Sequence, residues 1–498
     1  MSARTWAVTF LAVGALACAP RGLRAPGGRI SGTSVAEFVQ IKPLVPDSIP
    51  ETQAGDTVPG SAGDLRFGPG GQIVRCLVGE TFCNFRRSAG TVAGVPLVQD
   101  IELSGWGLTQ GLRAYAHVRG RTAMGNADEF WPLANEPVDL LAAYAELDRG
   151  AWRARAGRQW HSSGLGYYDF DGAALLWRGP RRLALEGYAG WSLERGLDQP
   201  VTSDEIKALE PLAPDVGAYI FGAEARWRPD ARLSAGAIYQ RELRTDRAGL
   251  FSERGAANAR ARLYGATLDG TLVYDFAATQ VDEGRLRLES PVYHRMVLAL
   301  EARRHVPFFE LWTIWGAFSP VAFNEGSALL SFTGLQDELQ LSVGGARRRY
   351  EDPGTGLLGF PLRRDGWRFT TDAAWQPQSE LSVHAGFSSQ IGFGASRSDE
   401  SFAVRRLLPR DGYAGLSLQA FQDALEFRVA EGRVVGAGAE FGLGLGGLTR
   451  VDGNFYVLQH LDRGPEAPNW SQLRGSVRLS WTLGAEPGPR ITATGGTP

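Results

Sequence analysis

Long hydrophobic runs are missing from this 498-residue chain. Beyond its N-terminal segment, no apolar stretch approaches the roughly 20 residues that a membrane-crossing helix needs, and the mean hydropathy is −0.17. A helical membrane protein is thereby excluded. Lysine is nearly absent: Lys42 and Lys207 are the only two among 52 basic residues, the others being arginine. With a formal net charge of −2, nothing predicts a nucleic-acid partner. The six histidines are scattered without metal-ligand spacing, and no GxGxxG, P-loop or haem-attachment motif is present. Neither a metal nor a cofactor is expected. His161-Ser162-Ser163-Gly164 sets a base beside hydroxyls, but the segment reads as an external loop. Adjacent residues of a strand would in any case point to opposite faces. An enzyme is not expected.

What the chain has instead is glycine, 64 residues of it, 10% aromatics, and a rhythm of two. In Leu112-Arg113-Ala114-Tyr115-Ala116-His117-Val118-Arg119, a strand puts Leu112, Ala114, Ala116 and Val118 on one face. Arg113, Tyr115, His117 and Arg119 then fall on the other. Such segments recur almost continuously from about Asp100 to Leu483. They predict an all-β chain: an antiparallel up-and-down β-barrel spanning a membrane, with about 18 strands (about 16 to 20). In a bilayer the apolar face meets lipid and the arginine-bearing face lines a wet interior.

The termini support export. Arg4, the apolar stretch Trp6 to Ala17 and the Ala15-Leu16-Ala17 cleavage site read as a signal peptide over 1–18. Cys18 would follow the cut, as in a lipoprotein, although Ala15 stands where a lipobox carries leucine. Residues 19–98 read as a flexible periplasmic leader rich in Pro, Gly, Ser and Thr. It contains a hairpin near 72–86 whose Gly79-Glu80 turn sets Cys76 opposite Cys83, at the spacing of a disulfide. The barrel is expected over 99–484, and 485–498 as a flexible tail.

Tight connections are expected at Asp148-Arg149-Gly150, Arg178-Gly179-Pro180-Arg181, Arg228-Pro229-Asp230, Asp269-Gly270 and Gln376-Pro377-Gln378. Two lie in a repeated phrase, Trp227-Arg228-Pro229-Asp230 and Trp375-Gln376-Pro377-Gln378, with Trp177 and Pro180 as a looser copy. Tryptophan at the last membrane position before a turn suits an interfacial girdle. Longer connections, near 120–137, 192–215, 244–257, 350–366, 393–412 and 460–472, fall at the opposite end. Short periplasmic turns and long external loops are the asymmetry of outer-membrane barrels.

Charged residues expected on the inner face are Arg113, His117, Arg119, Arg153, Arg155, Asp169, Asp171, Glu224, Arg226, Arg260 and Arg262. Arg153 and Arg155 are expected to form a cross-strand ladder with Asp169 and Asp171. Between them lies Gly157-Arg158-Gln159 at a strand end, with Asp171-Gly172 opening the next strand. This phrase resembles the alginate-export and porin-like outer-membrane barrels over about twenty residues. The resemblance implies a passive channel for small polar solutes, anionic ones among them. Its partners would be the outer-membrane bilayer and those solutes, and oligomers are compatible with it. The acidic 192–215 loop is the expected candidate for a segment folded into the pore. The rival readings are a non-transporting barrel that serves as a surface scaffold or adhesin, and a secreted soluble all-β protein such as a propeller or solenoid, against which the absence of blade-length repeats counts.

Overall fold

The computed structural model describes residues 27–484 apart from 43, 59–63, 78, 108, 126–136, 194–217, 245–251, 278, 307–321, 352–363, 393–394, 426–430, 447 and 463–468. The expected signal peptide with Cys18, the tail at 485–498 and almost all of the 192–215 loop lie outside the described residues.

The chain opens with β1 (Gly27–Ile41) and then makes four short strands: β2 (Leu44–Pro50), β3 (Leu65–Phe67), β4 (Ile73–Arg75) and β5 (Phe82–Ser88). Next come β6 (Val92–Trp106), β7 (Leu112–Met124), β8 (Val138–Asp148), β9 (Trp152–Ser163), β10 (Gly166–Arg178) and β11 (Leu183–Ser192). They are followed by β12 (Ala218–Trp227), β13 (Leu233–Arg244), β14 (Ser252–Leu263), β15 (Ala266–Asp275), β16 (Gln280–Glu289) and β17 (Met296–His305). After these run β18 (Phe323–Gly334), β19 (Leu339–Tyr350), β20 (Asp365–Gln378), β21 (Leu381–Gly392) and β22 (Ala395–Leu408). The last four are β23 (Gly412–Leu425), β24 (Glu431–Gly444), β25 (Thr449–Asp462) and β26 (Trp470–Gly484).

β1 and β6 to β26 form one closed antiparallel sheet of 22 strands, β1 pairing with both β26 and β6. Closure removes every sheet edge, which is what a bilayer requires of strands. The expectation of about 18 strands is therefore corrected to 22, and its errors have local causes. Gly27–Ile41, read as leader, is a wall strand. Its face shared with the lipid-side residues Leu479 and Trp481 carries Gly32, Ser34 and Ala36, so its apolar contrast is weak. The stretch 393–412, read as a long loop, holds β22. Its first half, Ser396 to Glu400, is polar on both faces. Asp269-Gly270 is not a turn but the middle of β15; the turn before it is Tyr264-Gly265, both at positive φ. Nor are all long-loop-end connections long: Gly164 and Leu165 alone join β9 to β10, and Gly392 pairs with Ala395.

The Cys76–Cys83 disulfide is present, with a Cα separation of 4.2 Å. Its surroundings differ from a flexible leader. β2 to β5 form a separate four-stranded sheet in the order β2-β5-β4-β3, cored by Val74, Cys76 and Cys83 with Ile49, Ala54 and Phe85. This sheet is inserted between β1, which ends beside the start of β6 at the Ile41–Val92 pair, and β6 itself. That end of the barrel is the one with the long loops, not the tight turns.

The outer surface follows from register. Leu416 and Leu418 pair with Val404 and Phe402, and all but Val404 are over one-third exposed. Trp152 packs against Trp177, 6.1 Å between rings, at the tight-turn end. Trp227 stands exposed at the same level before its turn, and Trp375 before an irregularity in β20. Gln376-Pro377-Gln378, expected as a tight turn, still belongs to the strand, and the turn is Ser379-Glu380. Trp367, exposed near the other end, is eight residues from Trp375 on β20. That is about 27 Å along a strand, or about 20 Å of height at the tilt of barrel strands, close to the apolar band of an outer-membrane barrel. Among the described residues, no helix is long and apolar enough to cross a membrane.

Candidate functional site: the interior and its inward hairpin

A 22-stranded barrel is too wide for wall side chains alone to fill. Part of its interior is taken up by a hairpin of its own wall. Gly157, Gly172 and Gly190 stand in register across β9, β10 and β11. A Cβ on Gly157 would lie 2.2 Å from the Ala143 carbonyl, and one on Gly172 only 2.1 Å from that of Ala189. Gly157 also takes φ +124. Only glycine permits so close an approach, and a row of it lets a sheet crease sharply.

Past this crease the β9–β10 hairpin turns inward. Its tip residue Leu165 accepts a hydrogen bond from Arg254 Nη1 on β14 at 3.2 Å, four strands from β10. Leu165, Tyr168 and Phe170 bury against Tyr188, Ile220, Ile238, Ala256 and Val273 from β11 to β15. Residues of non-adjacent strands can meet only on the concave side, which identifies the interior face. The Tyr188 ring stacks on Phe170 at 5.6 Å and on His161 at 4.2 Å, and its hydroxyl donates to Gln240 at 2.6 Å. On the hairpin's other side, Trp160 meets Tyr115 and Tyr144 edge-on, each at 6.1 Å. The tip is thus held between two sectors of the interior.

The Gly-Arg-Gln and Asp-Gly phrase sits at this crease. Gly157 and Gly172 supply the bend. Arg158 forks onto Asp171 with two hydrogen bonds of 2.8 Å and reaches the Leu140 carbonyl at 2.9 Å. Gln159, 1% exposed, donates to the Gly172 carbonyl at 2.9 Å. The expected ladder of Arg153 and Arg155 with Asp169 and Asp171 is not formed. Register sets Arg155 opposite Ala174 and Arg153 opposite Leu176. Both arginines turn instead to Glu146 on β8, Arg155 at 3.0 Å and Arg153 at 3.9 Å. Asp169 pairs in register with Trp160 and has no ion pair among the described residues.

The remaining expected residues fall on the interior face by register. Arg119 forks onto Asp100 at 2.7 and 3.2 Å, with His117 3.1 Å from the same carboxylate. Arg113 stands opposite Glu146. Arg226 bridges Glu186 at 2.5 Å and Glu224 at 3.1 Å. Arg260 lies 3.3 Å from Asp269, and Arg262 is exposed. Sequence reasoning missed Glu325, 5% exposed, which holds Arg348 and Arg368, the latter at 2.9 Å. It also missed the fork of Arg405 on Glu440. Alternation through Arg347-Arg348-Arg349 carried the first signal. His161, expected in a loop beside its serines, lies in β9 with Nε2 toward Glu224, while Ser163 Oγ accepts from the Leu165 amide.

No family model and no curated protein matches this chain. Among solved structures it is similar in shape to the P pilus usher (PapC) translocation pore, at 10% identity and TM-score 0.41 over 92% of this chain and 100% of that one. OpdQ of Pseudomonas aeruginosa follows at 8% and 0.38, over 93% and 100%. An anion-selective porin from Comamonas acidovorans shows 10% and 0.30, over 92% and 99%. A closed antiparallel barrel with an apolar outer belt, aromatic rims and a charged interior is the architecture of an outer-membrane β-barrel.

Proposed function

We propose that this barrel is a passive channel for small polar solutes, anions included, with its tight turns in the periplasm and its long loops and disulfide sheet outside. The observation that carries the reading is the contrast of faces: an apolar belt outside and Arg–carboxylate pairs inside, with one hairpin narrowing the lumen. Water and solutes would pass along Arg113, His117, Arg119, Arg153, Arg155, Glu224, Arg226, Arg260 and Arg262, with Asp169 and Asp171 on the hairpin. No energy coupling is invoked.

Most interior charges neutralise one another, so they brace the wall more than they filter. Arg113, Arg262, Arg474 and Arg478 have no carboxylate within bridging distance among the described residues. Glu37, Glu102 and Asp169 are interior carboxylates without a salt bridge in the same sense. The expected anion preference is therefore small. Swelling of liposomes containing the purified protein, in sugars and organic anions of graded size, tests the channel. Reversal potentials in a salt gradient test selectivity. Cation preference unchanged when Arg153 and Arg155 become Ser would end the anionic part.

The second reading, a barrel that serves as scaffold without transport, draws on the same inward hairpin, which would then be a plug. A folded barrel that never swells liposomes would favour it.

A further inference from the structure

Where the hairpin tip meets the wall, a buried histidine converges on two neighbouring carboxylates. His161 on β9 is 7% exposed, and its Nε2 has no hydrogen-bond partner. That nitrogen aims at Glu224 Oε2 on β12, 3.5 Å away, too long for a good hydrogen bond. Glu186 on β11 stands opposite Glu224 in register, and one ligand atom from each of the three residues lies within 4.8 Å of the others. Two carboxylates with side chains 13% and 15% exposed are drawn together against their mutual repulsion. Arg226 compensates them from the more open side, its own side chain half exposed.

We propose that His161, Glu186 and Glu224 form a binding site for a divalent transition-metal ion of the zinc class. Bonds of about 2.1 Å in a tetrahedral shell set neighbouring donors about 3.4 Å apart, and the His161–Glu224 pair already stands at 3.5 Å. Glu186 closes the triangle by a side-chain rotation, and water fills the fourth position. An imidazole among the donors favours zinc-like ions over calcium or magnesium, which take all-oxygen sites. The His161 ring is already oriented by its stack on Tyr188 at 4.2 Å. Arg226 is the resident cation that the metal displaces. Because His161 rides on the inward hairpin and both glutamates on the wall, the ion would clip the hairpin in place.

Titration of the full-length protein in detergent with Co2+, read by its visible ligand-field bands, and with Zn2+ in competition, tests this. The expectation is one equivalent bound by the wild type and uptake weakened roughly tenfold or more in His161→Gln and in Glu224→Gln. Arg226→Gln, which removes only the competing cation, should bind more tightly and serves as the deciding variant should the other two fold poorly. No uptake by the wild type, uptake indifferent to both ligand variants, or no gain in Arg226→Gln would overturn the site.

Discussion

Replacing both Tyr168 and Phe170 by Ser should release the inward hairpin without dissolving the barrel. Phe170 is fully buried and Tyr168 is 2% exposed. Removing a buried ring of this size costs about 3–5 kcal/mol, so the pair forfeits about 6–10 kcal/mol of the tip's hold on β11 to β15. What remains is the Leu165 contact, about 2 kcal/mol, and the hydrogen bond from Arg254 to the Leu165 carbonyl, about 1 kcal/mol. The ring contacts of His161 with Tyr188 and of Trp160 with Tyr115 and Tyr144 remain too, about 0.5–1.5 kcal/mol each. Against these stands the desolvation of Gln159 and His161, buried with the tip, at about 1–3 kcal/mol each. The opposing terms then nearly cancel, so the tip is released into the water-filled lumen for a substantial part of the time. The wall ladders of β9 with β8 and of β10 with β11 lie mostly below the crease and persist. Single-channel recording should show a larger conductance than the wild type, while heat-modifiable gel mobility, the mark of an intact barrel, is unchanged. Intact mobility with wild-type conductance would refute the assignment of the hairpin as the constriction.

Other perturbations separate interior, belt and appended sheet. Glu325→Gln leaves Arg348 and Arg368 without their buried carboxylate and should cost about 3–5 kcal/mol in urea unfolding. Arg405→Gln, which breaks a more exposed fork with Glu440, should cost less than about 1 kcal/mol in the same assay. Leu418→Arg, on the lipid side, should lose about 2–4 kcal/mol of folding free energy in lipid vesicles. Cys83→Ser should lower the stability of the four-stranded sheet by about 2.5 kcal/mol, from a cross-link closing a loop of separation 7. Limited proteolysis should then cut that sheet while the barrel's gel mobility stays as in the wild type, because β2 to β5 pair only among themselves.

The barrel was legible because lipid and water impose opposite demands on alternate residues, as in Leu112 to Arg119. The tryptophans before the turns and the cystine hairpin were legible for equally local reasons. What escaped was whatever depends on the offset between strands. That Arg155 faces Ala174 and turns to Glu146, and not to Asp171, is set by turn length and barrel stagger, to which side-chain alternation is blind. β1 escaped because small residues fill its lipid face, and β22 because its first half lies at the polar rim. The crease was visible only as a phrase. Nothing in Gly157 or Gly172 alone announces that the two align with Gly190 and let the β9–β10 hairpin turn inward.

The central claim, that alternate residues of one wall strand face water and lipid, is tested most directly by cysteine accessibility on β22 and β23 in reconstituted bilayers. Ser401 and Ser417 belong to the charged face, with Arg405 and Glu440, and Leu416 and Leu418 to the apolar one. Single cysteines at Ser401 and Ser417 should react with a small, membrane-impermeant thiol reagent, and those at Leu416 and Leu418 should be protected. Reaction at the leucine positions with protection at the serines would contradict the account.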